Sequence, residues 1–433
     1  MNFPLDSLTA VSAANPWSYV VFGLVGVAFG YTLEMAGFGD SRKLAGQFYF
    51  RELTVFKVMF TAIAVALVLL FGAVGLGVID FSAVWVNPTY LGSGIVGGLI
   101  MGVGFIVGGF CPTTSLASAS TGKIDGMLFM AGGFVGAFLF GETEAWYDHW
   151  YNTAGYHGRL TLDDVFGISA PMLVLIIVLT AIALFWGAEQ VERMVARKDL
   201  SREPAQRKWG AMALAAGAAA VLMIGTPSME DRYQRVSFKR SETVKQADGS
   251  SQTVAHVYSA DEMLAQRLAF VSPAEAFKAR FQQAIKPVYL DVRSESDFNL
   301  YHIADSVHVP LERLASIIPD LLSEPPANTV FITIGNVEAA ATEAWRRLVA
   351  ARVPNVYILE GGVNRWIATF GADDPALKPR ADAGPEQLRY HFPVALGDRY
   401  KSCAPNPMQH EHLDFKARIV LQLKRDKSGG GCG

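Results

Sequence analysis

The sequence predicts two unlike halves: an α-helical polytopic membrane domain with internal repeats and broken helices, then a soluble α/β domain. Two observations predict the division. Apolar residues crowd into the first half of the 433-residue chain, where several segments reach the about 17 to 25 residues that cross a bilayer. From Thr226 onward the chain is polar and charged, and short apolar runs alternate with helical patterns. The formal net charge is −3, and no basic stripe interleaved with aromatics is present, so no nucleic acid is expected as a partner.

The membrane half is assigned to residues 1–228. Met1 to Ala14 lacks the basic n-region of a cleavable signal, so the first apolar segment is expected to stay as a helix. The candidate spans are 17–36, 53–78, 90–110, 126–140, 171–188 and 209–225, the fourth short enough to be tilted or half-inserted. A shift of 72 residues lays Gly26 on Gly98, Gly30 on Gly102, Gly37-Phe38 on Gly109-Phe110 and Leu44-Ala45 on Leu116-Ala117. The two copies, 23–78 and 95–141, each read as helix, broken loop, helix. Paired repeats with interrupted helices are the signature of transporters, whose substrate sits where the broken ends converge.

The second break carries the candidate chemistry. Gly108-Gly109-Phe110-Cys111-Pro112 interrupts an apolar stretch and is followed by Thr113, Thr114 and Ser115, and Cys111 is the only cysteine among the first 400 residues. Glycine allows close backbone approach, Pro112 suits a first helical turn, and hydroxyls with freed N–H groups face an anion. Gly109, Cys111, Pro112, Thr113, Thr114 and Ser115 are therefore substrate-binding candidates. So are Gly39, which the repeat register places opposite Cys111, and Arg42 and Lys43 beside it. Arg42, Lys43, Arg51 and Lys57 read either as cytoplasmic anchors or as a basic vestibule for an anion. Glu34 is costly inside a span and is expected to pair with one of those bases.

Glycines four residues apart, Gly26/Gly30, Gly98/Gly102, Gly104/Gly108 and Gly132/Gly136, are read as helix-packing faces. The basic run Arg193, Arg197, Lys198, Arg202, Arg207 and Lys208 contrasts with the acidic loop 142–167, which places the former in the cytoplasm and the soluble half on the opposite, periplasmic face.

In the soluble half, 229–271 is read as a linker with a turn at Asp248-Gly249, and Ser272-Pro273 as a capped helix start. Strands are expected at 288–293, 330–334 and 356–359, with a helix over 339–352, which makes a small parallel α/β domain over 272–371. The extension 372–433 holds Cys403, His410 and His412, and ends in a glycine tract around Cys432. Cys403, His410 and His412 offer metal-ligand types, but no fourth ligand is evident and the spacing is irregular, so no metal and no cofactor is expected. Cys432 on its tether is either a mobile sulfur-carrying thiol or, with Cys403, one half of a disulfide or an inert tail.

The runs VYLDVRSESDFNLYHIADSVHVPL, VFITIGN and NVYILEGGVNRW resemble a rhodanese-like domain, with Asp291, Arg293, Phe298, His302, Ile303, Pro310, Gly361, Gly362 and Trp366 on motif positions. That family carries sulfur on a cysteine at the end of the central strand. Here Ile334, Gly335 and Asn336 occupy that loop, so the resemblance implies binding or docking and no sulfur transfer from the loop. The breaks AGFGDSRKL and GGFCPTTSLAS resemble the YeeE/YedE-type permeases, a resemblance that implies import of thiosulfate or a related small sulfur anion across a bacterial inner membrane, with Cys111 touching substrate. Gly39 departs from the family's second cysteine position, which leaves a multi-cysteine relay in doubt, and the chain has fewer repeat units than the longer family members, which makes a homodimer or a partner permease subunit a candidate for completing the pore. A soluble sulfur carrier is a further candidate partner. Two other classes stay open: a membrane-anchored sulfur relay using Cys432 and Cys111, and a non-transporting scaffold that docks a sulfur carrier.

Overall fold

The computed structural model describes residues 16–81, 84, 86–195, 206–245, 251–323 and 328–421. Contacts divide the chain into two units, one from Asn2 to Pro227 and one from Ser228 to Ser428.

In the first unit the repeat is built from long helix, short helix, long helix. Its first copy is α1 (Trp17–Met35), α2 (Ser41–Gly46) and α3 (Thr54–Gly75). The second is α4 (Leu91–Gly108), α5 (Pro112–Ser120) and α6 (Ile124–Thr153). A short α7 (Leu162–Phe166) leads to α8 (Ala170–Val195) and α9 (Gln206–Ile224). Among the described residues six helical segments, with α4 and α5 taken as one, are long and apolar enough to cross a membrane. The break falls at the same place in both copies because Gly37 and Gly109, paired by the repeat register, adopt φ of +80° and +72°, a region where a side chain is strained. After it, an extended residue starts the short helix: Asp40, whose carboxylate accepts from the Arg42 amide, and Cys111 ahead of Pro112.

The fourth span is not short. Its apolar run ends near Phe140, but no proline or turn glycine follows, and α6 continues through Trp146, Tyr147, Trp150 and Tyr151 to Thr153. Hydropathy marks only the apolar part of the helix, whereas its last turns carry Trp and Tyr, residue types that suit a membrane interface.

Small residues let α3, α8 and α9 pack closely, with Ala64, Val174, Val178, Ala218 and Val221 at their centre. Glu192 of α8 is buried and accepts from the Leu53 amide at 2.8 Å and from Lys57 Nζ at 2.6 Å, so a carboxylate on another helix caps the N-terminus of α3. A second cluster joins the breaks themselves: Phe38, Leu44, Val55 and Phe110 are buried against Leu33, Phe105 and Phe129. Of the glycines read as helix-packing faces, seven have no neighbour within this chain. Gly26, Gly30, Gly98, Gly102, Gly104, Gly132 and Gly136 have no neighbour within 4 Å of a Cβ position, and of the eight only Gly108 is in contact, against Phe129.

The second unit opens on strands β1 (Ser237–Lys245) and β2 (Ser251–Ser259), after which β3 (Phe270–Val271), β4 (Lys286–Asp291), β5 (Val307–His308), β6 (Thr329–Ile334) and β7 (Val356–Leu359) form a five-stranded parallel sheet in the order β3-β7-β6-β4-β5. Both faces are covered, so the strands read as near-continuous apolar runs. Val330, Ile332 and Ile334 face one core and Phe331 the other. Helix Ala339–Ala350 seats Trp345 on the Phe331 side, where the indole donates to Val356 O at 2.9 Å. Helices Pro273–Ala279 and Gly362–Phe370 cover the opposite face with Phe277 and Trp366.

The fold does not stop at 272 and 371. The segment read as a linker forms a helix, Met229–Gln234, and an antiparallel hairpin of strands Ser237–Lys245 and Ser251–Ser259, with Tyr233 and Val236 in the core and Phe238 stacked on Trp345 at 6.0 Å. The tip containing Asp248-Gly249 lies outside the described residues. The C-terminal extension closes the other core through Leu377, Leu388, Tyr400 and Cys403. Its last described stretch is strapped down by Glu275 Oε1, which accepts from the Arg418 and Ile419 amides at 2.7 and 2.9 Å, and by Lys278 Nζ, which donates to Leu413 O at 2.8 Å.

Candidate functional site

The two breaks of the membrane unit meet. A Cβ on Gly109 would stand 3.0 Å from Ser41 Cβ and 3.1 Å from Ser41 O, so only glycine permits this crossing of the second break over the start of α2. From α5, Ser118 reaches back and its buried hydroxyl donates to Gly39 O at 3.1 Å. Each repeat thus contributes one broken helix to a single locus, with Phe38 and Phe110 beneath it.

Cys111 is half-buried at the N-terminus of α5. Its amide donates to Thr114 Oγ1 at 2.9 Å, and the single proton of that hydroxyl has Cys111 O at 3.1 Å and Sγ at 3.3 Å within reach. Thr114 therefore fixes both the backbone and the thiol of Cys111. Ser115 is buried and donates to Pro112 O at 2.8 Å, Thr113 is half-buried, and Pro112 is exposed at the first helical position. The helix N-terminus favours negative charge beside the thiol.

Arg42 and Lys43 are exposed on α2. Lys43 folds over the first break, its Nζ 3.0 Å from the Cβ position of Gly37. Glu34 does not pair with the bases expected for it: it meets Lys123 at 3.2 Å, across the repeats, while Lys57 is held by Glu192. No local pattern marks Lys123, which lies 89 residues from Glu34 and outside both break motifs.

In the soluble unit β6 ends on Ile334 and the loop after it carries Gly335 and Asn336. Asp291 and Arg293 form a buried pair, with Nη2 to Oδ2 at 2.6 Å and Nε to Oδ1 at 2.8 Å, and Arg293 also donates to Tyr301 O at 2.7 Å and to Asn336 Oδ1 at 3.2 Å. Asn336 in turn donates to Asp297 at 2.8 Å. The loop presents carbonyls to its neighbours, Gly335 O accepting from the Val363 amide at 2.9 Å and Asn336 O from Asn364 at 3.1 Å. Its carboxylate Glu338 takes the Gly361 amide at 2.9 Å and pairs with Arg267 at 2.7 Å. Burial pushes that carboxyl up, but the bonds from Arg267 and Gly361 outweigh it and hold it below the ordinary range. An anionic side chain thus occupies amide hydrogen-bonding capacity beside a loop that has no thiol. Next to the loop lies a cleft of about 490 Å³ whose polar lining includes Ser294, Asp297, Asn336, Arg380 and His391.

Cys403 is a free thiol with no exposure, donating to Gly397 O at 3.4 Å, and burial pushes its pKa up to about 12. His410 packs its ring at 5.0 Å from Phe370 and 6.3 Å from Phe277. His410 and His412 lie with ring centroids 6.5 Å apart, and among the described residues no group of three or more His, Cys, Asp or Glu could hold a metal. Cys432 and the basic residues Arg197, Lys198 and Arg202 lie outside the described residues.

A family model described as sulphur transport matches residues 36–257, just over half of the chain, and a model described as a rhodanese-like domain matches 273–369. TBC domain-containing protein kinase-like protein of Gallus gallus is 31% identical over 87 residues, which cover 18% of this chain and 10% of that protein. The chain thus spans about a tenth of that relative's length.

Proposed function

Since this chain belongs to the sulphur transport family and carries a rhodanese-like domain as a multi-pass membrane protein, we propose that it moves thiosulfate or a related small sulfur anion across a bacterial inner membrane. The observation that carries this reading is the meeting of the two breaks, which sets the half-buried Cys111 thiol and the α5 N-terminus at one locus. A thiol with helix-end polarity and neighbouring hydroxyls suits a soft, doubly charged sulfur anion.

The rhodanese-like domain acts in binding or delivery of sulfur species. Its loop lacks a nucleophile, yet the cleft beside Asn336, where the Asn336 amide holds Asp297, presents Ser294, Arg380 and His391 to a sulfur anion or to the loaded group of a soluble sulfur carrier. The oxidising periplasm is the side assigned to this domain, from the basic residues flanking α8 and α9. The bare glycine faces of α1, α4 and α6 favour a homodimer or a partner permease subunit, because such faces bring helices close in lipid and have no neighbour in one chain.

Purified protein in liposomes should accumulate sulfur-labelled thiosulfate well above protein-free vesicles and discriminate against sulfate. Equal accumulation with and without protein would remove transport and leave the relay and scaffold readings.

A further inference from the structure

The pair Glu34–Lys123 bridges the two repeats at 3.2 Å, and its side chains stay 45% and 43% exposed within the chain. Helix stability does not explain it. Glu34 stands in the last turn of α1 and Lys123 at the N-cap of α6. Each charge faces the unfavourable end of its own helix dipole, an arrangement that disfavours both helix ends. An ion pair half open to its surroundings adds little that would offset this. Its position is specific, however. A Cβ on Gly39 would collide with the Glu34 carboxylate and stand 2.9 Å from Lys123 Nζ, so the pair fills the space over the residue that the repeat register places opposite Cys111. Ser118 ties this arrangement together, its hydroxyl on Gly39 O and its carbonyl accepting the Lys123 amide at 3.2 Å. Where the second break holds a thiol, the first break is covered by the second repeat's ammonium, already holding the first repeat's carboxylate.

The geometry points to Lys123 as the specificity-determining cation of the substrate path, with Glu34 as the resident counter-ion that an incoming sulfur dianion displaces. This inference rests on the transport reading. Lys123 and the N-terminus of α6 both attract an anion, and the dianion exchanges one carboxylate partner for another, so binding is favourable enough to enter and weak enough to leave. A dianion competes with Glu34 better than a monoanion does, which gives the path a preference for thiosulfate over singly charged sulfur species.

The test is uptake of labelled thiosulfate by the full chain in liposomes, with folding followed by thermal melting. Glu34→Gln is expected to lower the KM for thiosulfate by about tenfold and to slow maximal turnover, because release loses its competitor. Lys123→Ala is expected to reduce uptake at least about tenfold, and Lys123→Arg to retain most of it. The decisive variant is the charge swap Glu34→Lys with Lys123→Glu. It restores the pair and places each charge at the favourable end of its helix, so it melts no lower than wild type, yet it loses thiosulfate uptake. Normal uptake by the swap, or an unchanged KM in Glu34→Gln, makes the pair structural and overturns the inference while transport stands. A wild-type protein that carries no thiosulfate overturns the transport reading and this inference with it.

Discussion

Replacing Cys111 by alanine separates a substrate-contacting thiol from a small core residue. The fold should tolerate the change. The bond from the Cys111 amide to Thr114 Oγ1, at 2.9 Å, uses the backbone and survives, Pro112 still starts α5, and Gly109 still crosses Ser41. What is lost is one sulfur, half-buried and 3.3 Å from Thr114 Oγ1, at a cost of about 1–2 kcal/mol. A contact to a charged partner is worth about 1.5–3 kcal/mol, and at subsaturating substrate that converts to a roughly 10- to 150-fold fall in uptake. Cys111→Ser, which keeps a donor, should fall between wild type and alanine. Thr114→Val serves as the comparison: it leaves the thiol in the chain but strands the Cys111 amide, costing about 1–3 kcal/mol and misplacing the sulfur. The assay is initial-rate uptake of labelled thiosulfate in liposomes at matched protein density, with melting temperatures alongside. Alanine uptake within twofold of wild type would falsify the substrate-contact role and leave Cys111 as a packing residue.

Three further outcomes are expected. The soluble unit, expressed over 228–421 because 272–370 would cut away Tyr233, Leu377, Leu388 and Tyr400 from its cores, should form no thiocyanate from thiosulfate and cyanide; robust turnover would mean that Cys403, buried and with its pKa pushed up to about 12, becomes accessible after all. Burial raises the Glu275 carboxyl despite its bonds from the Ile419 and Arg418 amides, so its favourable contribution is present below the unfolded pKa and is lost as pH rises through the folded one; Glu275→Gln should raise the melting temperature of that unit at pH 7 and lose the advantage near pH 4, and an equal gain at both values would remove the link to ionisation. A membrane-impermeant maleimide should label Cys432 on intact spheroplasts after mild reduction, and labelling only after lysis would put the soluble unit in the cytoplasm, while normal uptake by Cys432→Ser would end a carrier role for that thiol.

Local sequence already determined the division into an apolar and a polar half, the repeat and the place of both breaks. These depend on short-range chemistry: runs long enough for hydrocarbon, glycines that alone accept positive φ, and a proline that opens a helix. The parallel sheet was legible for the same reason, because strands buried on both faces show as unbroken apolar runs. Tertiary structure decided what depends on partners distant in sequence. The polar pattern of 229–271 gave no sign that Tyr233 and Phe238 would settle on Trp345, since two aromatics in a charged stretch acquire meaning only when a core receives them. Glu34 was recognisable as a charge needing a partner, but the choice of Lys123 over the nearer bases follows from how α5 folds back onto Gly39, which no local pattern encodes. The glycine faces read alike in sequence, and only the packing separates Gly108, filled by Phe129, from those with no neighbour in the chain.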